Sequence, residues 1–540
     1  MIYEEDTEDG FSFPSTSGIL EENEIAPLSK NPFTFNNVGL NLVPALSSSL
    51  IAIILNLYYQ MFTLHLEEPG NFQSVFFGII AIAQIFVLFF AILSDSTPIC
   101  GRRRKPYQIG GWIAFIFISI ALVFIPLPQP RNIFDDSPNV SCQMKFDQRV
   151  NFPNFRDEST YINYGVMYLV LLAMCVICLN GINATASGLV VEWSRKTSFE
   201  ERGKLQSYVV VFISLFNGFN NSLVGFGLNW YKYAGPWCNG LTLTAIFTVF
   251  LIFGIFGLLA SVFTTTEEKK YTNLQPNHVF FSSFWEILKL KSLQKIVIFI
   301  FFASGCQFVI SPSDSMIREY WVKRESLTGT SPSVVAQLAA AVLLGILSHR
   351  LVNSNFRLLI LCTQGIFTTI NFTLTNLAIF DVVRNQYFYA PDNVFKQINL
   401  SVYMVLLFIF AVEYTETNFE ASFYNFLLLT LNTGSSVFDN LAILVTFPFK
   451  VSNPDRYISD KTDDRIFVAL QSLMFNIINL FGLLSVIWLM PRNKFHCQEL
   501  KLKSPSSNSS AIVFFGIMIF VVVGNVAVTI AMPSIIKAMS

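Results

Sequence analysis

Residues 94–111 read SDSTPICGRRRKPYQIGG, a charged turn set between two apolar runs, 72–94 and 107–126. Each run is about the 20 residues that a helix needs to cross a hydrocarbon core roughly 30 Å thick. The four cations Arg102, Arg103, Arg104 and Lys105 separate the runs and mark where the chain leaves lipid. Asp95 closes the first run. Gly101 permits a turn conformation closed to other residues, and Pro106 suits the first turn of the helix that follows.

The same alternation continues in both directions. Thirteen spans can be read, at 38–64, 72–94, 107–126, 161–190, 205–229, 241–263, 294–312, 332–349, 357–380, 397–418, 421–448, 465–490 and 511–533. Apolar residues make up 53% of the 540 positions and charged residues 13%, about half the share usual in soluble chains. Mean hydropathy is +0.51. Long apolar runs without period-2 alternation satisfy their backbone hydrogen bonds as helices, not as barrel strands. The expectation is an all-α polytopic membrane protein, integral and multi-pass, in the plasma membrane or an endomembrane. The opening MIYEEDTEDG carries no signal-peptide or transit-peptide pattern, so the first span is expected to direct insertion. A net charge of −1 gives no electrostatic case for nucleic acid.

Lys and Arg set the orientation. With the amino terminus inside, the cytoplasmic loops hold Arg102–Lys105; Arg195, Lys196, Arg202 and Lys204; Lys269, Lys270, Lys289, Lys291 and Lys295; Arg350 and Arg357; and Arg492, Lys494, Lys501 and Lys503. The segment 264–293 then has six spans before it and six after. Two six-helix halves about a central cytoplasmic loop are the plan of the major facilitator fold. The expected organisation is an acidic disordered tail (1–36), a first half (37–263), the loop (264–293), a second half (294–490), a linker (491–510) and a thirteenth C-terminal span (511–540). The counterpart of 94–111 after span 8, SHRLVNSNFRLLI, retains the serine and an arginine but not the acid or the glycine. The internal repeat is therefore degenerate.

An acid at one helix end and arginines at the next can clamp an inner gate, although arginines there also fix topology. The spacing of Asp95, Pro98, Gly101 and the basic run to Tyr107 resembles the folate–biopterin transporter family of the major facilitator superfamily. Similar to that family are also Val190-Val191-Glu192 followed by Arg202-Gly203-Lys204-Leu205-Gln206-Ser207, Gly235 after Tyr233, and Tyr424-Asn425 with Asn432. The resemblance covers roughly 38–450. It implies a folate- or pterin-like solute and gate roles for Asp95, Gly101, Arg102, Arg103, Arg104, Glu192 and Arg202. Two aspartates usual in helix 4 of that family are replaced here by Asn183 and Ser187.

Polar side chains inside spans are costly and therefore informative. Asn180, Asn183 and Ser187 share a face of span 4, Asn217, Asn220 and Asn221 a face of span 5, and Asn432, Ser436 and Asp439 a face of span 11. Gln60, Gln84 and Gln307 add single amides in spans 1, 2 and 7. These residues either line a cavity or hold helices together. Asp439, the one carboxylate placed well inside a span, is read as a coupling acid for protons or another ion, or as a hydrogen-bond partner of neighbouring helices. Glu413, Glu416 and Glu420 share a face near the inner end of span 10 and read as a solvated rim.

The four histidines lie at span ends or in loops, and no metal or cofactor motif occurs, so neither enzymatic chemistry, nor a metal, nor a cofactor is expected. Cys142 and Cys238 fall in outer loops and can pair; Asn139 heads a glycosylation sequon. The leading expectation is a monomeric secondary-active carrier of a small polar organic solute, folate- or pterin-like by resemblance, working by alternating access. The alternatives are a sugar–cation symporter-like metabolite carrier and a non-transporting receptor or scaffold on the same fold.

Overall fold

The computed structural model describes residues 38–58, 70–126, 158–230, 237–267, 277–309, 311–323, 326–446 and 454–539. Gln60, Asn139, Cys142, Tyr233 and Gly235 lie outside the described residues, as do 1–36.

Six long helices form the first half: α1 (Val38–Tyr58), α2 (Gly70–Ser96), α3 (Lys105–Phe124), α4 (Glu158–Arg195), α5 (Lys204–Gly227) and α6 (Leu243–Phe263). A connecting helix, α7 (Asn277–Leu288), leads into the second half. That half holds α8 (Lys291–Phe308), which continues after a break as the short α9 (Pro312–Met316) and a π-helical turn, Ile317–Trp321. It continues with α10 (Ser326–Val352), α11 (Phe356–Ile379), α12 (Pro391–Tyr414), α13 (Glu420–Thr446), the short α14 (Pro454–Ser459) and α15 (Thr462–Leu489). The short α16 (Lys494–Leu502) and the long α17 (Asn508–Met539) end the chain. Among the described residues 12 helices are long and apolar enough to cross a membrane, and α2 adds a further apolar stretch at Ile82–Ser96. The protein is an integral, multi-pass membrane protein. Large apolar side chains such as Phe117, Phe124, Ile346, Trp488 and Phe520 stand exposed around the bundle, where only lipid would cover them.

The two halves repeat one plan. In the first, α1 packs on α5 and α6, α3 on α4 and α6, and α2 on α4. Counting α8 as the seventh span, the same neighbours recur six spans later: α8 on α13 and α15, α11 on α12 and α15, and α10 on α12. The halves meet through α5 against α10 and α2 against α13, two contacts that exchange when the halves are exchanged. Helix α17 lies outside this plan, against α2, α13 and α8. Its Asn525 and Thr529 hydrogen-bond Ser436 and Asn440 of α13, and Ser510 Oγ donates to Gln294 of α8 (2.6 Å).

One apolar core lies within the first half, around Trp112, Phe115, Tyr168, Phe247 and Phe250. The largest core belongs to both halves. It joins Leu189, Val190 and Val209 to Val352, Leu406, Phe408 and Phe423. This shared core sits beside the basic turn of 94–105 and closes that end of the bundle.

Candidate functional site

Two polar sites stand out, one at each end. At the basic end the 99–102 turn is a two-residue hairpin, with Ile99 N–H donating to Arg102 O (2.8 Å) and Arg102 N–H returning to Ile99 O (3.0 Å). Its central residues, Cys100 and Gly101, have φ of 54° and 75°, the left-handed region that a turn of this kind requires. The turn sets Arg104 at the start of α3, where its side chain is fully buried. There it pairs with Asp95 of α2 (3.2 Å), Glu192 of α4 and Glu420 of α13 (2.8 Å). Arg195 reaches Glu420 (3.4 Å) and Lys196 reaches Glu192 (3.5 Å), so three cations balance three carboxylates. Burial alone would weaken the Arg104 charge. Glu192, Glu420 and Asp95 outweigh it and hold the guanidinium above its ordinary value.

The network crosses between the halves. Asp95 Oδ2 accepts from Ser422 N–H (2.8 Å) and Ser422 Oγ (2.9 Å), so a carboxylate of the first half caps the N-terminus of α13 in the second. Glu267 caps α3 in the same way, accepting from the backbone N–H groups of Arg103 (2.8 Å), Arg104 (3.0 Å) and Lys105 (2.8 Å). Arg103 bonds Asn418, and Asn425 Nδ2 donates to Ala184 O (3.2 Å). Helix α16 adds a second clasp. Its buried Lys494 donates to the carbonyls of Phe199 (2.8 Å), Glu200 (3.4 Å) and Arg202 (3.2 Å) in the α4–α5 turn.

At the other end the broken seventh span shapes a recess. Ser311 caps α9 and Pro312 occupies its first turn, a pairing that starts a new helix after the break. Non-helical backbone at membrane depth is tolerated where it lines a cavity. Val309 and Ser311 do line one, with Gln307, Ser313, Phe367, Phe475, Asn476 and Asn479. Gln307 is 1% exposed and lies beside the buried Tyr403 hydroxyl of α12, while Oδ1 of Asn476 and of Asn479 has no hydrogen-bond partner among the described residues. Asp314 and Arg318, four apart on one face, reach the same recess with Asp392 and Lys396 of α12. Asp392 lies at the opposite end of α12 from Tyr414, placing the ionic part of the recess roughly 30 Å from the basic end.

Asp95, Arg104 and Glu192 meet in the buried network. Arg103 bonds across the seam, Gly101 and Arg102 form the hairpin, and Arg202 turns back to the carbonyls of Thr197 (3.3 Å) and Arg195 (3.4 Å). Of the rim acids, Glu413 and Glu420 are buried and Glu416 is exposed. Gln307 is the one described cavity candidate that lines the recess. Asn180 Nδ2 donates to Ala83 O of α2 (3.1 Å), Asn183 pairs with Ser48 of α1 (3.4 Å), and Asn221 accepts from Asn56 (3.0 Å). Ser187 Oγ donates to its own helix at Asn183 O (2.7 Å). Asn220 is buried, and both its polar atoms, like Asn217 Oδ1, lack partners among the described residues. Gln84 and Asn432 are half-buried. Asp439 is exposed on α13, and its charge acts on Lys396. Cys238 is disulfide-bonded, while Cys142, its expected partner, lies outside the described residues. No group of three or more His, Cys, Asp or Glu suited to a metal occurs among the described residues.

No family model and no curated protein matches the chain. Solved structures do. A proton:xylose symporter of the major facilitator superfamily, bound to 6-bromo-6-deoxy-D-glucose, aligns with a TM-score of 0.53 at 12% identity, over 86% of this chain and 98% of its own. A D-xylose–proton symporter aligns with a TM-score of 0.54 at 12% identity, over 84% and 97%. The fold is therefore the major facilitator fold, two six-helix bundles with an added span. At this identity the likeness is one of fold. The narrower folate–biopterin resemblance has no counterpart in these comparisons.

Proposed function

We propose that the protein is a secondary-active carrier of a small, neutral, hydroxyl-rich organic solute, working by alternating access. The observation that carries this reading is the recess lined by the amides Gln307, Asn476 and Asn479, the last two with unpartnered carbonyl oxygens, at the end of the bundle opposite the basic end where the halves are clasped. An amide offers a donor and an acceptor together, which suits hydroxyl groups, and Phe367 and Phe475 supply apolar faces beside it. Arg318 and Lys396 are matched by Asp314 and Asp392, so the recess has no surplus of positive charge for a polyanionic solute. That balance favours the sugar-like reading over folate or pterin, and the proton:xylose symporters of the same fold support it in the same direction. With the basic clusters in the cytoplasm, the structure corresponds to a state closed on the inside.

Counterflow in liposomes with a panel of D-xylose, D-glucose, sorbitol, folate and pterin tests this. Exchange of at least one of the first three is expected. Gln307→Ala or Asn476→Ala should raise its half-saturation concentration about 3- to 10-fold, the worth of one neutral hydrogen bond. Exchange confined to folate or pterin would replace the sugar-like reading. Exchange of none of the five, from protein of intact fold, would favour a receptor.

A further inference from the structure

The recess contains more ionic chemistry than a neutral solute needs. Asp314 Oδ2 and Asp392 Oδ2 both lie 2.8 Å from the same nitrogen, Nη2 of Arg318. Their other oxygens are occupied: Asp392 Oδ1 accepts from Asn371 Nδ2 (2.8 Å), and Asp314 Oδ1 from the Tyr389 hydroxyl (2.9 Å). Asp392 is 1% exposed and Asp314 8%. One guanidinium offsets one carboxylate, and a second buried carboxylate needs another positive charge. Lys396, one turn along α12 from Asp392, could supply it, but it forms no ion pair within 4 Å among the described residues.

Resting on the carrier reading above, we propose that Asp392, held beside Asp314 on the Arg318 guanidinium, is where a proton binds and leaves during the transport cycle, with Lys396 competing for the same charge. The proton adds to a carboxylate oxygen of Asp392 and departs from it to water in the recess; no other bond changes. Protonation loosens the hold of Asp392 on Arg318 and frees a guanidinium N–H toward the recess, where Gln307 and Asn476 wait. Proton and solute therefore alter each other's affinity, as linkage requires. The titratable and charged groups facing the pair are Arg318 and Tyr389, Lys396 on α12 and, through its charge on Lys396, Asp439 on α13. The lining of α11 and α15 contributes amides, hydroxyls and phenylalanines, without charge.

Two readouts on the full chain test the proposal. In liposomes, Asp392→Asn should impair proton-driven uptake of D-xylose far more than D-xylose counterflow. It should lose tenfold or more of the accumulation driven by an inward proton gradient, together with the acidification reported by a dye inside. In detergent and without solute, the melting temperature of the parent should change between pH 5 and 8 in a step that Asp392→Asn abolishes. Lys396→Met should move that step to higher pH, because removing a nearby cation strengthens proton binding. A variant that accumulates D-xylose like the parent, or melting profiles that coincide for the parent and both variants, would overturn the proposal. Should D-xylose not exchange in any protein, the carrier reading is what has failed for that solute, and the melting profiles still decide the proton site.

Discussion

Arg104→Ala is expected to abolish exchange and to lower thermal stability more than any other single change in the basic turn. The substitution leaves Asp95, Glu192 and Glu420 facing one another with Arg195 and Lys196 as their remaining cations, both only partly buried. Removing one partner of a buried ion pair costs about 3–5 kcal/mol, because the other charge is stranded. Arg104→Lys should not rescue, since an ammonium cannot hold three carboxylates with the planar fork of a guanidinium. Arg102→Ala, whose backbone rather than side chain makes the hairpin, should stay within about 1 kcal/mol. Melting temperatures of the full chain in detergent, read beside counterflow, check the order. Equal effects of Arg102→Ala and Arg104→Ala would show that the turn acts only through its total charge.

Gly188→Val should force the basic end open. Gly188 lies one helical turn before Glu192, where α4 crosses α13 of the other half. A Cβ there would stand 2.4 Å from Ala421 Cβ and 2.7 Å from Ala421 Cα, so backbone must move. Overpacking of this kind costs about 1–3 kcal/mol, enough to shift the closed-to-open ratio by up to about 100-fold. The expected result is a protein that folds and inserts, exchanges solute at least tenfold more slowly, and separates labels placed at Glu201 and Asn353 on the two sides of the seam. Gly188→Ala should do the same more weakly. Unchanged label distances in Gly188→Val would mean that the α4–α13 crossing is not part of the gate.

The spans were legible because hydropathy is a local property. Span 3, read at 107–126, is Lys105–Phe124, and span 12, read at 465–490, is Thr462–Leu489. Ends marked by a local signal were equally readable, such as Pro106 at the first turn of α3. The buried charge network at the basic end was half legible. Asp95 and Arg104 are near neighbours in sequence, but Glu420 and Ser422 come to them from more than 300 positions away, and nothing local marks Glu420 as buried. The recess was the least legible part. Asp314, Arg318, Asp392 and Lys396 lie at the edge of hydropathy windows, where charge reads as loop, although they sit on α9, on the π-helical turn after it and on the first turns of α12. The signals that could have found them are the Ser311-Pro312 helix start and the four-residue spacings Asp314–Arg318 and Asp392–Lys396. The amide faces divided in a way that spacing cannot foretell. Asn180, Asn183 and Asn221 join helices within the first half, while Gln307, a single amide, lines the recess.

Alternating access is the central claim, and paired distance measurements test it most directly. One spin-label pair, Glu201 with Asn353, spans the basic end; a second, Phe124 with Tyr387, spans the opposite end, in a background with the exposed Cys100 and Cys362 replaced. In liposomes, across pH 5 to 8 and with saturating D-xylose, each pair should show two distances whose populations shift in opposite directions. A single fixed distance for both pairs under every condition would contradict the account.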